Sequence, residues 1–256
     1  MVATTLADRP FRVPALRRLT WQRPETPWAF LAAGAWIVLA LEEVRPAAQL
    51  QHSMRGMTMA PASHPHHYGL SVFGLAWWML MTVAMMVPAA LPLLREISLQ
   101  SLWTRRYRSA ALFLAGYLAV WGLFGVAALG FWHVVGLATP SAPGGLATSV
   151  TLFVGAAWGL TAAKRRHLKQ CHRFLPLAPR GRAADVTCLR FGLYHGRECL
   201  AVCWPLMLAM VPAHTLAVML GATAFITWER SARLPRLHGG ALVLACAGAL
   251  GVFLAA

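Results

Sequence analysis

Residues 77–94 read WWMLMTVAMMVPAALPLL, an unbroken run without a charged side chain. A helix of that length reaches about 27 Å at 1.5 Å per residue, close to the thickness of a bilayer's hydrocarbon core. The rest of the chain is of the same kind. Of its 256 residues 58% are apolar and only 12% charged, and mean hydropathy is +0.56. That balance excludes an ordinary soluble domain and predicts an integral membrane protein. Apolar stretches fall at 28–44, 69–94, 109–137, 146–163, 192–212, 214–229 and 239–256. The expected fold class is all-α, a polytopic transmembrane helix bundle of about seven spans.

Charge placement sets the expected orientation. With the N-terminus in the cytoplasm, 21 of the 23 basic residues lie on the cytoplasmic side, and only Arg45 and Arg55 lie outside. The formal net charge of +15 then reflects the positive-inside rule and contact with anionic lipid, and requires no nucleic acid. The division expected is a basic cytoplasmic segment at 1–27 and a single transmembrane domain at 28–256. The latter carries an outer Met/His loop at 45–68 and a basic cytoplasmic loop at 164–191. No convincing A-x-A cleavage site follows the arginine-bearing start, which fits a signal anchor better than a removable signal peptide. Five cysteines, at 171, 188, 199, 203 and 246, fall in cytoplasmic or intramembrane positions and are expected to be reduced.

The outer loop concentrates metal donors. His52, Met54, Met57, Met59, His64, His66 and His67 lie close together in RPAAQLQHSMRGMTMAPASHPHHYG, residues 45–69. Thioethers are soft and select Cu(I), whereas imidazole serves copper and zinc alike. Methionine also suits an oxidising outer face because it cannot form a disulfide. The loop has no Asp or Glu, which excludes a carboxylate-built calcium or magnesium site.

A second set of donors lies in the apolar stretches themselves. In CLAVCWPLMLAMVPAH, residues 199–214, Cys199, Cys203, Met207, Met210 and His214 fall along one face of an ideal helix, and His195 one turn earlier joins them. Two thiols at i and i+4 can chelate one ion. Pro205 and Pro212 allow a kink that would turn the outer half of the stripe. Met85 and Met86 reach a similar depth in the inner half of the bilayer, so a shared Cys/Met site is feasible if the two stretches are neighbours. Cysteine and methionine are equally ordinary packing residues. Glu42, Glu43, His133, Glu198 and Glu229 sit near expected helix ends, and Glu229 with Arg230 reads as an interface pair.

Several motifs together resemble a known family. They are Trp78, Met81, Ala84, Met85, Met86 and Pro88 in W-x-x-M-x-x-A-M-M-x-P, KRRHLKQCHRFLPLAPRGRAAD at 164–185, and GLYHGRECLAVCWPLM at 192–207. The chain resembles an uncharacterised bacterial family of predicted metal-binding integral membrane proteins, some of whose members are labelled copper chaperones. The resemblance covers most of residues 70–230. It implies metal-related roles for Met85, Met86, Cys171, His172, His195, Cys199, Cys203 and Met207. Between Cys199 and Cys203 this chain carries Leu-Ala-Val where the family pattern leads one to expect a glycine and a small residue.

The function expected is membrane copper handling, a chaperone or transfer factor and not an enzyme, in a bacterial inner membrane. The bilayer, the Cu(I) ion and a second copper protein at the outer face are the expected partners, and zinc suits the same donors. The outer loop would collect the ion, and the stripe would pass it inward opposite Met85 and Met86. Cys171 and His172 would form an inner exit or sensing point. Two other readings stay open: a structural or assembly subunit without metal, and a membrane thiol redox component. The second is disfavoured because i, i+4 cysteines on a helix need backbone adjustment to form a disulfide. No phosphate loop, H-E-x-x-H or nucleophile–base–orienter set is present, which argues against nucleotide and hydrolytic chemistry.

Overall fold

The computed structural model describes residues 23–53, 71–138, 144–178, 180–213, 215–231 and 237–255. Among them all regular structure is helical. In chain order the helices are α1 (Thr26–Ser53), α2 (Val72–Gln100), α3 (Arg106–Ala138, after a 3-10 turn at Trp103–Arg105), α4 (Gly144–Gly159), α5 (Ala162–Cys171), α6 (Gly181–Ala209), α7 (Leu216–Ser231) and α8 (Leu237–Ala255). Each apolar stretch coincides with one helix, and α5 is additional. Three segments, Thr26–Val44, Val72–Gln100 and Trp103–Gly136, are long and apolar enough to cross a membrane. Ala147–Gly159 and Gly239–Leu250 are apolar but shorter.

Several boundaries differ from the hydropathy reading. α1 runs on to Ser53, into the stretch expected to be outer loop. The expected basic loop at 164–191 is helical over most of its length, as α5 and the first turns of α6. The expected span at 146–163 breaks after Gly159. Thr161 adopts extended backbone, and its hydroxyl accepts the Lys164 N–H at 3.2 Å. That N-cap starts a new helix in a segment too polar for hydropathy to register. α2 continues through both Pro88 and Pro92.

The most extensive interface joins α3 to α6. Gly192 makes it possible: a Cβ there would overlap the Phe113 carbonyl oxygen, and one on Gly116 would meet the Leu189 carbonyl oxygen. Small residues at i and i+4, here Gly192 and Gly196, let two helix backbones touch. Around this pair α4 packs on α6 and α8, while α2 packs on α1, α3 and α7.

Proline would leave carbonyls orphaned in such a core, and tryptophan satisfies them. Pro205 has no N–H to offer Ala201 one turn back, and the Trp158 indole donates to the Ala201 carbonyl at 2.9 Å instead. Where α6 ends, the Leu208 carbonyl accepts from the Val211 N–H at 3.4 Å, and the Trp132 indole also donates to it, at 3.0 Å. Both indole bonds tie α6 to a neighbouring helix.

Two outcomes follow for thermal unfolding in detergent. Gly192→Ala forces α3 and α6 apart and costs about 1–3 kcal/mol or more, whereas Gly34→Ala, with open space at its Cβ, leaves the midpoint unchanged. Trp158→Phe orphans the Ala201 carbonyl and costs about 1–3 kcal/mol; in a Pro205→Ala background, where the backbone bond can reform, the same change costs measurably less.

Candidate metal centre

α6 carries the site because its inner face is turned to α3. Cys199 is wholly buried and Cys203 is 3% exposed, and the two thiols lie within hydrogen-bonding reach of each other. The Tyr117 hydroxyl from α3 lies 3.1 Å from the Cys199 sulfur. Met207, the next step of the stripe, is also wholly buried. The thiols therefore face the interior of the protein.

His195, one turn before Cys199, is ringed by Phe113, Tyr117 and Phe191, with centroids 5.8, 5.8 and 6.4 Å away. Arg230, at the end of α7, reaches across to it: Nη2 lies 3.2 Å from His195 Nε2. Arginine has no acceptor, so it donates, and Nε2 must present its lone pair. The imidazole proton then sits on Nδ1, which is buried and has no partner. In this arrangement neither ring nitrogen offers a lone pair to a metal ion.

Arg230 is the electrostatic centre of the group. Its other nitrogen Nη1 lies 3.5 Å from the Ala89 carbonyl of α2, and Cys171 from α5 is within hydrogen-bonding reach of its side chain. Cys199, Cys203 and Tyr117 all lie within its field. Among the described residues no carboxylate pairs with it. The adjacent Glu229 turns the other way, to Lys164, at 2.6 Å in a buried ion pair. The expected Glu229–Arg230 interface pair is thus replaced by two separate contacts. Neither was legible locally, since both partners come from distant helices.

Cys171 and His172 lie at the mouth of this region. With Glu96, Pro92, His195 and Arg230 they line a cleft of about 430 Å³. Burial pushes the Cys171 thiol up to about 12 despite the opposing pull of Arg230. Burial, with Arg230 in support, lowers His172, so its imidazole is neutral at pH 7. Glu198, wholly buried on α6, is held at 2.6 Å by His167 of α5 and at 3.0 Å by Arg197. It fixes α5 against α6 and so places Cys171.

The remaining expected donors separate from this group. Met85 and Met86 are wholly buried in α2, but α2 and α6 share no extended interface. Helix α6 ends at Ala209, so the regular stripe stops at Met207. Met210 instead lines an apolar cleft of about 510 Å³ among α4, α6, α7 and α8. Met54, Met57, Met59, His64, His66, His67 and His214 lie outside the described residues. Among the described residues no three His, Cys, Asp or Glu side chains form a ready metal cage.

Residues 75–253 match the model of the PpoB2 family, described as copper chaperone. The chain belongs to this copper chaperone family. No curated protein and no solved structure matches it. The family description points to copper handling. Two adjacent thiols with a thioether one turn away are soft donors, a class that suits soft metal ions.

The Lys164–Glu229 pair gives a separate test of the frame. Glu229→Gln strands a buried ammonium and costs about 3–5 kcal/mol, while Lys164→Met/Glu229→Leu recovers most of that loss. Chemical or thermal unfolding in detergent measures both.

Proposed function

We propose that this protein carries Cu(I) through the inner half of a bacterial inner membrane, held as a two-coordinate complex between the Cys199 and Cys203 thiolates. Met207 lends a third, weaker donor when the ion moves. The observation that carries this reading is the pairing of two buried, mutually adjacent thiols with a half-buried guanidinium that no described carboxylate neutralises. An apolar packing role would have no use for that charge, whose partial withdrawal from water without an anion carries a desolvation cost. The Cu(I) bis-thiolate supplies the missing anion.

His195 acts as a positioning residue in this reading. It holds the Arg230 guanidinium in the field of the thiols and is itself held by three aromatic rings. The membrane arrangement proposed has seven spans, α1, α2, α3, α4, α6, α7 and α8, with α5 on the cytoplasmic surface. Basic residues crowd the α2–α3 junction, α5, the start of α6 and the end of α7, which supports that orientation. The outer loop with Met54, Met57, Met59, His64, His66 and His67 would collect the ion outside, with Met85, Met86, Met210 and His214 as further soft or imidazole donors along the bundle. Zinc is the weaker candidate, because Zn(II) takes four ligands in closed sites and the described residues assemble no such set.

Anaerobic titration of the full chain in detergent against a Cu(I) chelator tests the reading. Wild type binds Cu(I) at the thiol pair, and Cys199→Ser/Cys203→Ser weakens that binding by more than roughly 100-fold, or about 2.7 kcal/mol. Met54→Leu/Met57→Leu/Met59→Leu removes weaker equivalents and leaves the tight one. Unchanged affinity in the double-serine variant overturns the proposal.

A further inference from the structure

Beyond the thiol pair, the cleft at the cytoplasmic end has its own chemistry. Its volume of about 430 Å³ falls within the range of small-molecule sites, roughly 300–1,000 Å³. It opens between α2 and α5–α7, and its walls carry one fixed cation and one fixed anion, Arg230 and Glu96. Glu96 is exposed and accepts from the Gln100 amide at 2.8 Å. His195, 3% exposed, is also in the wall, and its Nδ1–H has no acceptor. Cys171 lines the same cleft at 6% exposure, within reach of the Arg230 side chain. A thiol so enclosed is out of reach of a folded partner's surface and accessible only to a molecule that enters the cleft.

The geometry points to this cleft as the binding site of an amino-acid-derived low-molecular-weight thiol that exchanges Cu(I) with Cys171. The inference rests on the Cu(I) reading above and names the form in which the ion enters or leaves at the cytoplasmic side. A carboxylate of the ligand meets Arg230, a charge-assisted contact of the stronger kind. A second acceptor satisfies His195 Nδ1–H, and the ligand's ammonium meets Glu96. A thiol lacking the carboxylate would leave Arg230 unanswered, and one lacking the ammonium would leave Glu96 so.

The exchange step balances without a redox partner. A Cu(I) complex of two small thiolates enters the cleft. A Cu–S bond to Cys171 forms as one Cu–S bond to the small thiol breaks, the Cys171 proton passes to the departing sulfur, and copper stays Cu(I). A second exchange of the same type moves the ion from Cys171 towards Cys199, along the field of Arg230. Run in reverse, the same steps release it.

The test uses the full chain in detergent and two Cu(I) donors, glutathione and cysteamine. Both are thiols with an ammonium, and only glutathione carries carboxylates. Copper retained per chain after rapid gel filtration gives the transfer rate. S-methylglutathione, which cannot transfer copper, is scored by its protection of Cys171 from iodoacetamide, read by mass spectrometry. We expect glutathione to deliver copper roughly tenfold faster than cysteamine, and S-methylglutathione to protect Cys171, in line with one charge-assisted contact. Arg230→Gln brings the two donors near parity and abolishes protection, and Arg230→Lys restores part of both. Should Arg230→Gln fail to fold, Glu96→Gln at its exposed site replaces it and weakens protection. Equal rates from both donors in wild type, or no protection of Cys171, overturn the inference and place delivery on a protein partner. A chain that still takes Cu(I) from a chelator while showing that parity loses this inference alone; a chain that takes none from any source loses the Cu(I) reading itself.

Discussion

The close approach of α3 and α6 is the constraint on which the rest depends. At Gly192 the two backbones are so near that a single methyl group would fall on the Phe113 carbonyl oxygen. Only at that separation does Tyr117 reach Cys199 with its hydroxyl, and only then do Phe113 and Tyr117 close around the His195 ring. The same approach turns the cysteine-bearing face of α6 into the bundle. Helix packing in a bilayer gains little from hydrophobicity, so small residues and satisfied polar groups decide which faces meet.

Polar satisfaction is managed with equal care along α6. Pro205 withdraws a backbone donor, and the Trp158 indole from α4 answers the freed Ala201 carbonyl; the Trp132 indole from α3 adds to the Leu208 carbonyl where α6 ends. α6 can therefore bend or end without leaving orphaned groups in the core. Each indole also fixes a neighbouring helix in register, so local backbone defects become the points at which the bundle is tied together.

Charge is partitioned at the end of α7. Glu229 and Arg230 are adjacent in sequence, yet a helix places consecutive side chains on different faces. One finds the Lys164 ammonium and is neutralised. The other enters the thiol and imidazole group with no described carboxylate. The first contact holds α7 to α5 as structure. The second brings a cation beside His195, Cys171 and the paired thiols.

What the sequence determined by itself is the helical class, the apolar stretches and the i, i+4 stripe of sulfur donors from Cys199 to Met207, because these depend only on composition and local periodicity. It also carried the family resemblance. It misplaced the limits of α1, α4 and α6 and missed α5, since a capped amphipathic helix in a basic segment has no hydropathy signature. Arg230, Tyr117 and the Lys164–Glu229 pair were beyond its reach, each joining residues from different helices. Only the tertiary structure decided which donors meet: it set Cys171 beside Arg230 and His195, and it left Met85 and Met86 on a helix without an extended interface to α6. Sequence period fixes the face a residue occupies, whereas the partner of that face is chosen by which backbones can come close enough to touch.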